Sequence, residues 1–204
     1  VTPGQGPITF TPVISGGNNP IISSVSIDPT SAGTVAIVDG KIVYTPPTSA
    51  LLIKNLEGKS IIITYGVKDN FGGSAQGTIS FTLNDPVAVT SSPVSAEINI
   101  ASTTPASFQL TATGGATPYV FSLITPPAGT SLNGSTISFD PTKTASAGTV
   151  SISYQVKDSN NVLSSVGTIA VTVDPVIVPT PMAPSSVTPG QGPITFTPVI
   201  SGGN

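Results

Sequence analysis

The eighteen residues that open the chain, VTPGQGPITFTPVISGGN, return unchanged at residues 187 to 204. The sequence therefore restarts with a period of 187 − 1 = 186 residues. Identity over eighteen consecutive positions excludes chance, and it leaves no room for the drift of old pseudo-repeats. A fixed period is the mark of a tandem architecture. This one far exceeds the roughly 20–50 residues of a solenoid unit, so each unit is expected to hold whole domains. The chain reads as a window on an array, a little over one period long.

Composition limits what those domains can do. Hydrophobic residues make up 38% of the chain and charged residues only 7%, against about 25% charged in ordinary globular proteins. That is apolar enough to bury a core. Histidine, cysteine, tryptophan and arginine are all missing, and the six basic residues are lysines. Without histidine, acyl transfer lacks its usual base near neutrality. The nine acidic residues lie mostly in turns and give no convergent pair for glycoside hydrolysis. The chain is therefore read as not an enzyme. A net charge of −3 with no basic stripe offers nothing to neutralise phosphates, which excludes nucleic acid as a partner. No apolar run is long enough to span a bilayer and no secretory leader opens the sequence. Any export signal or anchor is expected outside this window. Zero cysteine fits a secreted chain that avoids disulfides as well as a reducing compartment.

The fold class reads as all-β. Runs of period two, rich in Val, Ile, Thr, Phe and Tyr, recur as ITFTPV (8–13), KIVYTP (41–46), IIITYGVKD (61–69), TISFTLND (78–85), INIAS (98–102), SFQLTAT (107–113), TISFD (136–140), VSISYQVKD (150–158) and TIAVTVD (168–174). Clusters of Gly, Pro, Asn, Asp and Ser separate them. SALLIKNLEGKS (49–60) is the one helical candidate and is read as a loop with a short turn.

A weaker repeat lies inside the period. Phe10, Gly16, Gly17 and Pro20 correspond to Phe108, Gly114, Gly115 and Pro118 at an offset of 108 − 10 = 98. Tyr65, Val67, Lys68 and Asp69 correspond to Tyr154, Val156, Lys157 and Asp158 at an offset of 154 − 65 = 89, and so do Asp85-Pro86 and Asp174-Pro175. Two related modules result, 1–86 and 87–175, followed by a Pro-rich connector at 176–186 and the start of the next copy at 187–204. Asp39-Gly40 and Asn133-Gly134 occupy equivalent places between strands, and both are expected to form type I′ hairpin turns. About seven short strands per module, with turns every eight to twelve residues, predict β-sandwiches. The connector is expected to be extended and semi-rigid, or to cross to a neighbouring module as an edge strand.

The second module, from Pro118 through its Pro-Pro-Ala-Gly-x-Ser-Leu turn to the Tyr-x-Val-x-Asp strand, resembles the immunoglobulin-like repeats of large bacterial surface proteins. In the first module, IVYTPP followed by ITYGVKDNFGGSAQGTISFTL is similar to the cadherin-like variant of that architecture. The resemblance implies tandem immunoglobulin-like β-sandwiches, two per 186-residue repeat, in a giant adhesin of the gliding-motility or biofilm type. It also implies an extracellular place on a bacterial cell surface and a structural role as a stalk or filament. Neighbouring repeats would be the partners, with lateral self-association as a further possibility. The surface or glycan ligand stays open. Two other roles stay open beside the stalk: a self-assembling fibre or surface-layer subunit, and a carbohydrate-binding module.

Asp69-Asn70 and Asp158-Ser159-Asn160 are the places where oxygen donors could meet calcium, but the same residues make turns. The junctions at Asn84-Asp85-Pro86 and Asp174-Pro175 lack the clustered acids by which cadherins bind calcium. Tyr65 and Tyr154 could stack on sugars but are expected in the core. Asn133-Gly134-Ser135 is a formal glycosylation sequon in a tight hairpin. An isopeptide bond would need a buried lysine, whereas Lys54, Lys59 and Lys143 are expected to be solvated. No catalytic, cofactor-binding or metal-ligating residue is assigned, no cofactor is expected, and calcium is the single candidate ion.

Overall fold

The computed structural model describes residues 1–56, 58–144, 146–182, 186, 188–190 and 192–202. The chain divides into two compact units. The first takes in Val1–Thr90, Thr111–Ser122 and Gln155–Val166, and the second takes in Ser91–Leu110, Leu123–Tyr154 and Gly167–Asn204.

The first unit is built on strands β1 (Ile8–Phe10), β2 (Ile21–Asp28), β3 (Thr34–Val38) and β4 (Lys41–Thr45), helix α1 (Ala50–Leu56), and strands β5 (Ser60–Lys68) and β6 (Ser74–Thr82). They make two antiparallel sheets of three strands, β1-β4-β3 and β2-β5-β6. Side chains alternate faces along a strand, and the buried ones follow that period: Ile42 and Tyr44 on β4, Ile61 and Ile63 on β5. Ile22, Ile42, Tyr44 and Ile63 form one core with Phe10, Val35, Tyr65 and Phe81 around it. The Phe81 ring lies 4.9 Å from that of Tyr44 and 6.1 Å from that of Phe10. The Tyr44 hydroxyl is buried and donates to the Ala32 carbonyl at 2.6 Å. Burial pushes its pKa up to about 12.

Residues 50–56 are a helix rather than the loop with a short turn that the sequence suggested. Leu, Ala and Lys are good helix formers, and a seven-residue segment is too short to stand by propensity alone. Tertiary packing decides it. Ile53 and Leu56, three apart and hence on one face, are buried, and Leu56 joins Ala32, Ile61 and Leu83 in a second core cluster.

The later strands are β7 (Ala88–Ser92), β8 (Ser95–Asn99), β9 (Ala106–Thr113), β10 (Val120–Ile124), β11 (Thr130–Asn133), β12 (Thr136–Phe139), β13 (Gly148–Lys157) and β14 (Gly167–Asp174). They form two four-stranded sheets, β11-β12-β9-β7 and β10-β13-β14-β8, with β8 parallel to β14. Alternate residues are again buried: Phe108 and Leu110, Ile137 and Phe139, Ile152 and Tyr154, Ile169, Val171 and Val173. The chain is all-β, in immunoglobulin-like sandwiches. A final ribbon pairs β15 (Val178–Thr180) with β16 (Val199–Ser201), so part of the connector is a strand laid against the start of the next copy.

The two hairpins differ in their turns. Val38 pairs with Lys41 and both loop residues have positive φ, 49° at Asp39 and 72° at Gly40, as a type I′ turn requires. In the other hairpin Asn133 is still in the ladder, opposite Thr136. The loop is therefore Gly134-Ser135, with positive φ at Gly134 and Asn133 in the strand. That is the pattern of type II′, which needs glycine at its first loop position. The type I′ expectation fails there because strand pairing runs one residue further than the dipeptide suggested.

Tyr65 and Tyr154 occupy matching positions, each opposite a glycine of the next strand: Gly77 and Gly167. A Cβ built on either glycine would run into the tyrosine ring, so the ring covers a strand position that has no side chain of its own. Tyr154 is only 3% exposed and Tyr65 is half-buried. Replacing Tyr154 by Ala should therefore cost about 3–5 kcal/mol through loss of buried ring contacts. Urea unfolding with an unchanged midpoint would show that the ring contributes little to the core.

Candidate functional site

Strands β5 and β13 both end in Val-Lys, and the Asp that follows each holds a turn together. The Asp69 carboxylate accepts from the backbone N–H groups of Asn18 (3.2 Å), Phe71 (3.0 Å) and Gly73 (2.6 Å). The Asp158 carboxylate accepts from those of Ala116 (3.0 Å), Asn160 (2.9 Å) and Val162 (2.8 Å). Two of the three donors belong to the Asp's own turn, as expected for Asx geometry. The third comes from the residue after a Gly-Gly pair, Gly16-Gly17 or Gly114-Gly115. A backbone bond completes each link: Asn70 N–H to Asn18 carbonyl (3.0 Å) and Ser159 N–H to Ala116 carbonyl (2.9 Å). The offsets of 98 and 89 seen in the sequence thus correspond to one physical device, used twice.

The two copies sit in different surroundings. Asp158 is only 2% exposed and also accepts the hydroxyl of Thr2, at 2.7 Å. Thr2 Oγ1 in turn accepts the side-chain amide of Asn160 at 2.9 Å, with that of Asn84 at 3.5 Å. Burial works against ionisation of Asp158, but the Thr2 hydroxyl and the N–H groups of Val162, Ala116 and Asn160 outweigh it and hold the carboxyl below its usual range. Asp69 is partly exposed and is lowered chiefly by the N–H groups of Asn18 and Gly73. Beside it lies an open pocket of about 260 Å³, lined by Ile14, Gly16, Gly17, Pro20, Val67 and Ala75 among others.

With their oxygens facing N–H groups, these carboxylates tie backbone together. Among the described residues no three acidic, histidine or cysteine side chains gather into a set that could hold a metal. The other candidates fall apart in space or into the core. Tyr154 is buried, which removes it as a sugar platform, and Tyr65 is half-buried against the core of its own unit. Phe71, on the Asp69 turn, is 83% exposed, more than Phe196 at 51%. Lys54, Lys59 and Lys143 are exposed. Asn133 is exposed, while Ser135 of the same sequon accepts the Gln109 amide at 2.6 Å. Thr2 was missed by sequence reasoning. It lies 156 residues from Asp158, and nothing in local spacing marks it.

Removal of the Asp158 carboxylate leaves three backbone N–H groups and the Thr2 hydroxyl without their acceptor. Asp158→Ala should cost roughly 2–3 kcal/mol at neutral pH. Because the folded pKa is depressed, this stability is fully present above the unfolded value of 3.8 and is lost as pH falls through the folded value. The gap between wild type and variant in urea midpoints should therefore narrow below pH 3.8; a gap that is constant down to pH 2 would contradict the assignment.

No protein-family model and no curated protein matches the chain. Among solved structures it is similar to the D00–D0 domain of intimin, with a TM-score of 0.37 and 13% identity over 82% of this chain and 94% of that one. It is also similar to a C-terminal 282-residue fragment of intimin in complex with the intimin-binding domain of the translocated intimin receptor, with a TM-score of 0.44 and 16% identity over 87% and 63%. The human desmocollin-1 ectodomain gives a TM-score of 0.37 and 12% identity over 76% of this chain and 34% of that one. These are likenesses in the arrangement of strands, and no family membership follows from them.

Proposed function

We propose that the chain is a non-enzymatic structural repeat, a segment of an extended stalk or filament in a large secreted bacterial surface adhesin. The observation that carries this reading is the unchanged return of residues 1–18 at 187–204 in a chain that folds into sandwiches. Selection that keeps copies identical in an array of whole domains favours reach and number over the chemistry of any one copy. The successive modules 1–86 and 87–175, the connector 176–186 and the next copy from 187 are the units of that array.

The side-chain inventory supports the non-enzymatic part. The chain has no histidine or cysteine, and among the described residues its one deeply buried carboxylate holds backbone, which leaves none of them poised for proton transfer or nucleophilic attack. No helix among the described residues is long and apolar enough to cross a membrane. In this reading the array is extracellular and bacterial, with its ligand-binding domain elsewhere. It needs no cofactor: N–H groups already hold the Asp69 and Asp158 carboxylates, and the junctions at Asp85 and Asp174 carry no clustered acids to gather calcium.

A second reading, a self-assembling fibre, draws on one observation: Val176, Ile177, Val178, Val199 and Ile200 of the terminal ribbon region are exposed, with few charges near them to oppose lateral contact. Sedimentation and solution scattering on a chain of two full periods separate the two. The stalk requires a monomeric, elongated particle whose mass is independent of concentration. Mass that grows with concentration would replace it by the fibre. The same particle should show the same melting midpoint in EDTA and in millimolar calcium; a rise of several degrees with calcium would overturn the metal-free junction.

A further inference from the structure

The Gly-Gly pair that precedes the cross-strand donor stands at residues 16–17 and 114–115 and returns at 202–203 with the next copy, and two of these three first glycines are pressed against the backbone of the segment that leads into their module. A Cβ on Gly114 would collide with the Pro86 carbonyl oxygen and lie 2.8 Å from its carbon. One on Gly202 would collide with the Val176 carbonyl oxygen and lie 3.0 Å from its carbon. Both glycines have positive φ, 68° and 82°, so glycine is needed there for shape and for space alike. Gly16 is the same residue as Gly202 one period earlier, has the same φ of 80°, and has nothing within 4 Å of such a Cβ.

The neighbouring contacts follow the same division. Beside Gly115, the side chain of Val87, the next linker residue after Pro86, fills the space. Its Cγ2 would lie 2.5 Å from a Cβ on Gly115, with the Asp158 carboxylate at 2.8 Å, and Val87 is 7% exposed. Beside Gly17 the nearest atoms are those of Asp69, at 3.2 Å, and the pocket is open. Val13–Ser15 carries no strand pairing and Val13 is 95% exposed. The identical residues Val199–Ser201 are paired with connector residues Val178–Thr180.

We propose that the pocket beside Gly16-Gly17 and Asp69 is a receptor for the connector of the preceding repeat. Its copy of Val178–Thr180 pairs with Val13–Ser15, its Val176 backbone lies on Gly16, and its Ile177 side chain enters the pocket as Val87 does beside Gly115. The pairing suits the connector's proline. Pro179 stands opposite Ile200 in the middle of the ribbon, so the pairs on either side, Val178 with Ser201 and Thr180 with Val199, can exchange the ladder bonds without a donor from proline. The connector is then a short strand clamped to the next module at both its backbone and one side chain, which makes the joint between repeats stiff. This inference rests on the tandem array but not on adhesion, and it would hold equally in a self-assembling fibre.

The test joins a second copy of residues 174–186 to the front of the present chain, so that it leads into Val1 as the first copy leads into residue 187. Hydrogen exchange of the Val13 and Ser15 amides is compared with and without the added segment, with NMR shifts of Gly16, Gly17, Val67 and Ala75. The expected result is at least tenfold slower exchange at both amides and shifts confined to the pocket, at a mass that stays monomeric. Ile177→Asp in the added copy alone, which cannot unfold the body of the chain, should reverse both effects. Equal exchange with and without the segment would overturn the proposal. So would protection that appears only as dimers form, which would mean that the connector docks on another chain. The sedimentation of a two-period chain tests the stalk separately, because a docked connector is compatible with either outcome there.

Discussion

The fold depends on what happens to backbone polar groups where long strands stop. A ladder satisfies N–H groups along a strand, but at its end the chain must turn away, and N–H groups turned inward lose both their strand partners and water. Here a carboxylate takes over. Asp69 and Asp158, each the last residue of a Val-Lys-Asp run, accept N–H groups from their own turn and one from across the sheet, at Asn18 or Ala116. An ionised acceptor makes such bonds about twice as strong as neutral ones, and its pKa falls in both cases. In a chain with only nine acidic residues, two are spent on this task.

The glycine pairs follow from the same constraint. The N–H that reaches the carboxylate from across the sheet belongs to the residue just after Gly16-Gly17 or Gly114-Gly115, and all four glycines have positive φ. Two successive residues in that conformation double the chain back sharply, which sets the next N–H toward the Asp. The absence of side chains then leaves backbone bare on the outer side of the turn. Pro86 occupies that bare backbone at Gly114, and the Gly115 N–H donates to the Asp85 carbonyl at 2.7 Å. One turn therefore closes its own sandwich and accepts an incoming linker.

Much of this was legible in the sequence because the modules repeat with different spacings. Residues that keep an offset of 98 and residues that keep an offset of 89 belong to separate segments that meet in space, and Asn18 with Asp69, and Ala116 with Asp158, are the meeting points. Strand alternation gave Tyr154 its place in the core. What the sequence could not give were decisions made by distant partners. Residues 50–56 are helical because Leu56 finds Ala32, Ile61 and Leu83, partners that the spacing within so short a segment does not reveal. The Asn133 turn moved by one residue because β11 pairs with β12 as far as Thr136. Thr2 meets Asp158 across 156 residues, and an isolated threonine among many carries no signal of such a bond.

The scarcity of charge bears on how such repeats remain separate. An exposed strand edge or apolar run invites pairing with another chain, and proteins usually guard it with lysine or another charge. This chain has six lysines, and none lies between residues 158 and 204, where Val176, Ile177 and Val178 are exposed. Proline supplies part of the guard: Pro175, Pro179 and Pro181 interrupt donation along the connector, which limits how long a ladder it can form. Pairing with Val199–Ser201 uses a three-residue stretch whose proline falls in the middle, at Pro179. In the docked arrangement proposed above, the following module would cover Val176 and Ile177, so that apolar residues that are a hazard when bare would become the joint. A repeat whose connector docks in this way can keep a surface with few charges and still cover the apolar residues of that connector.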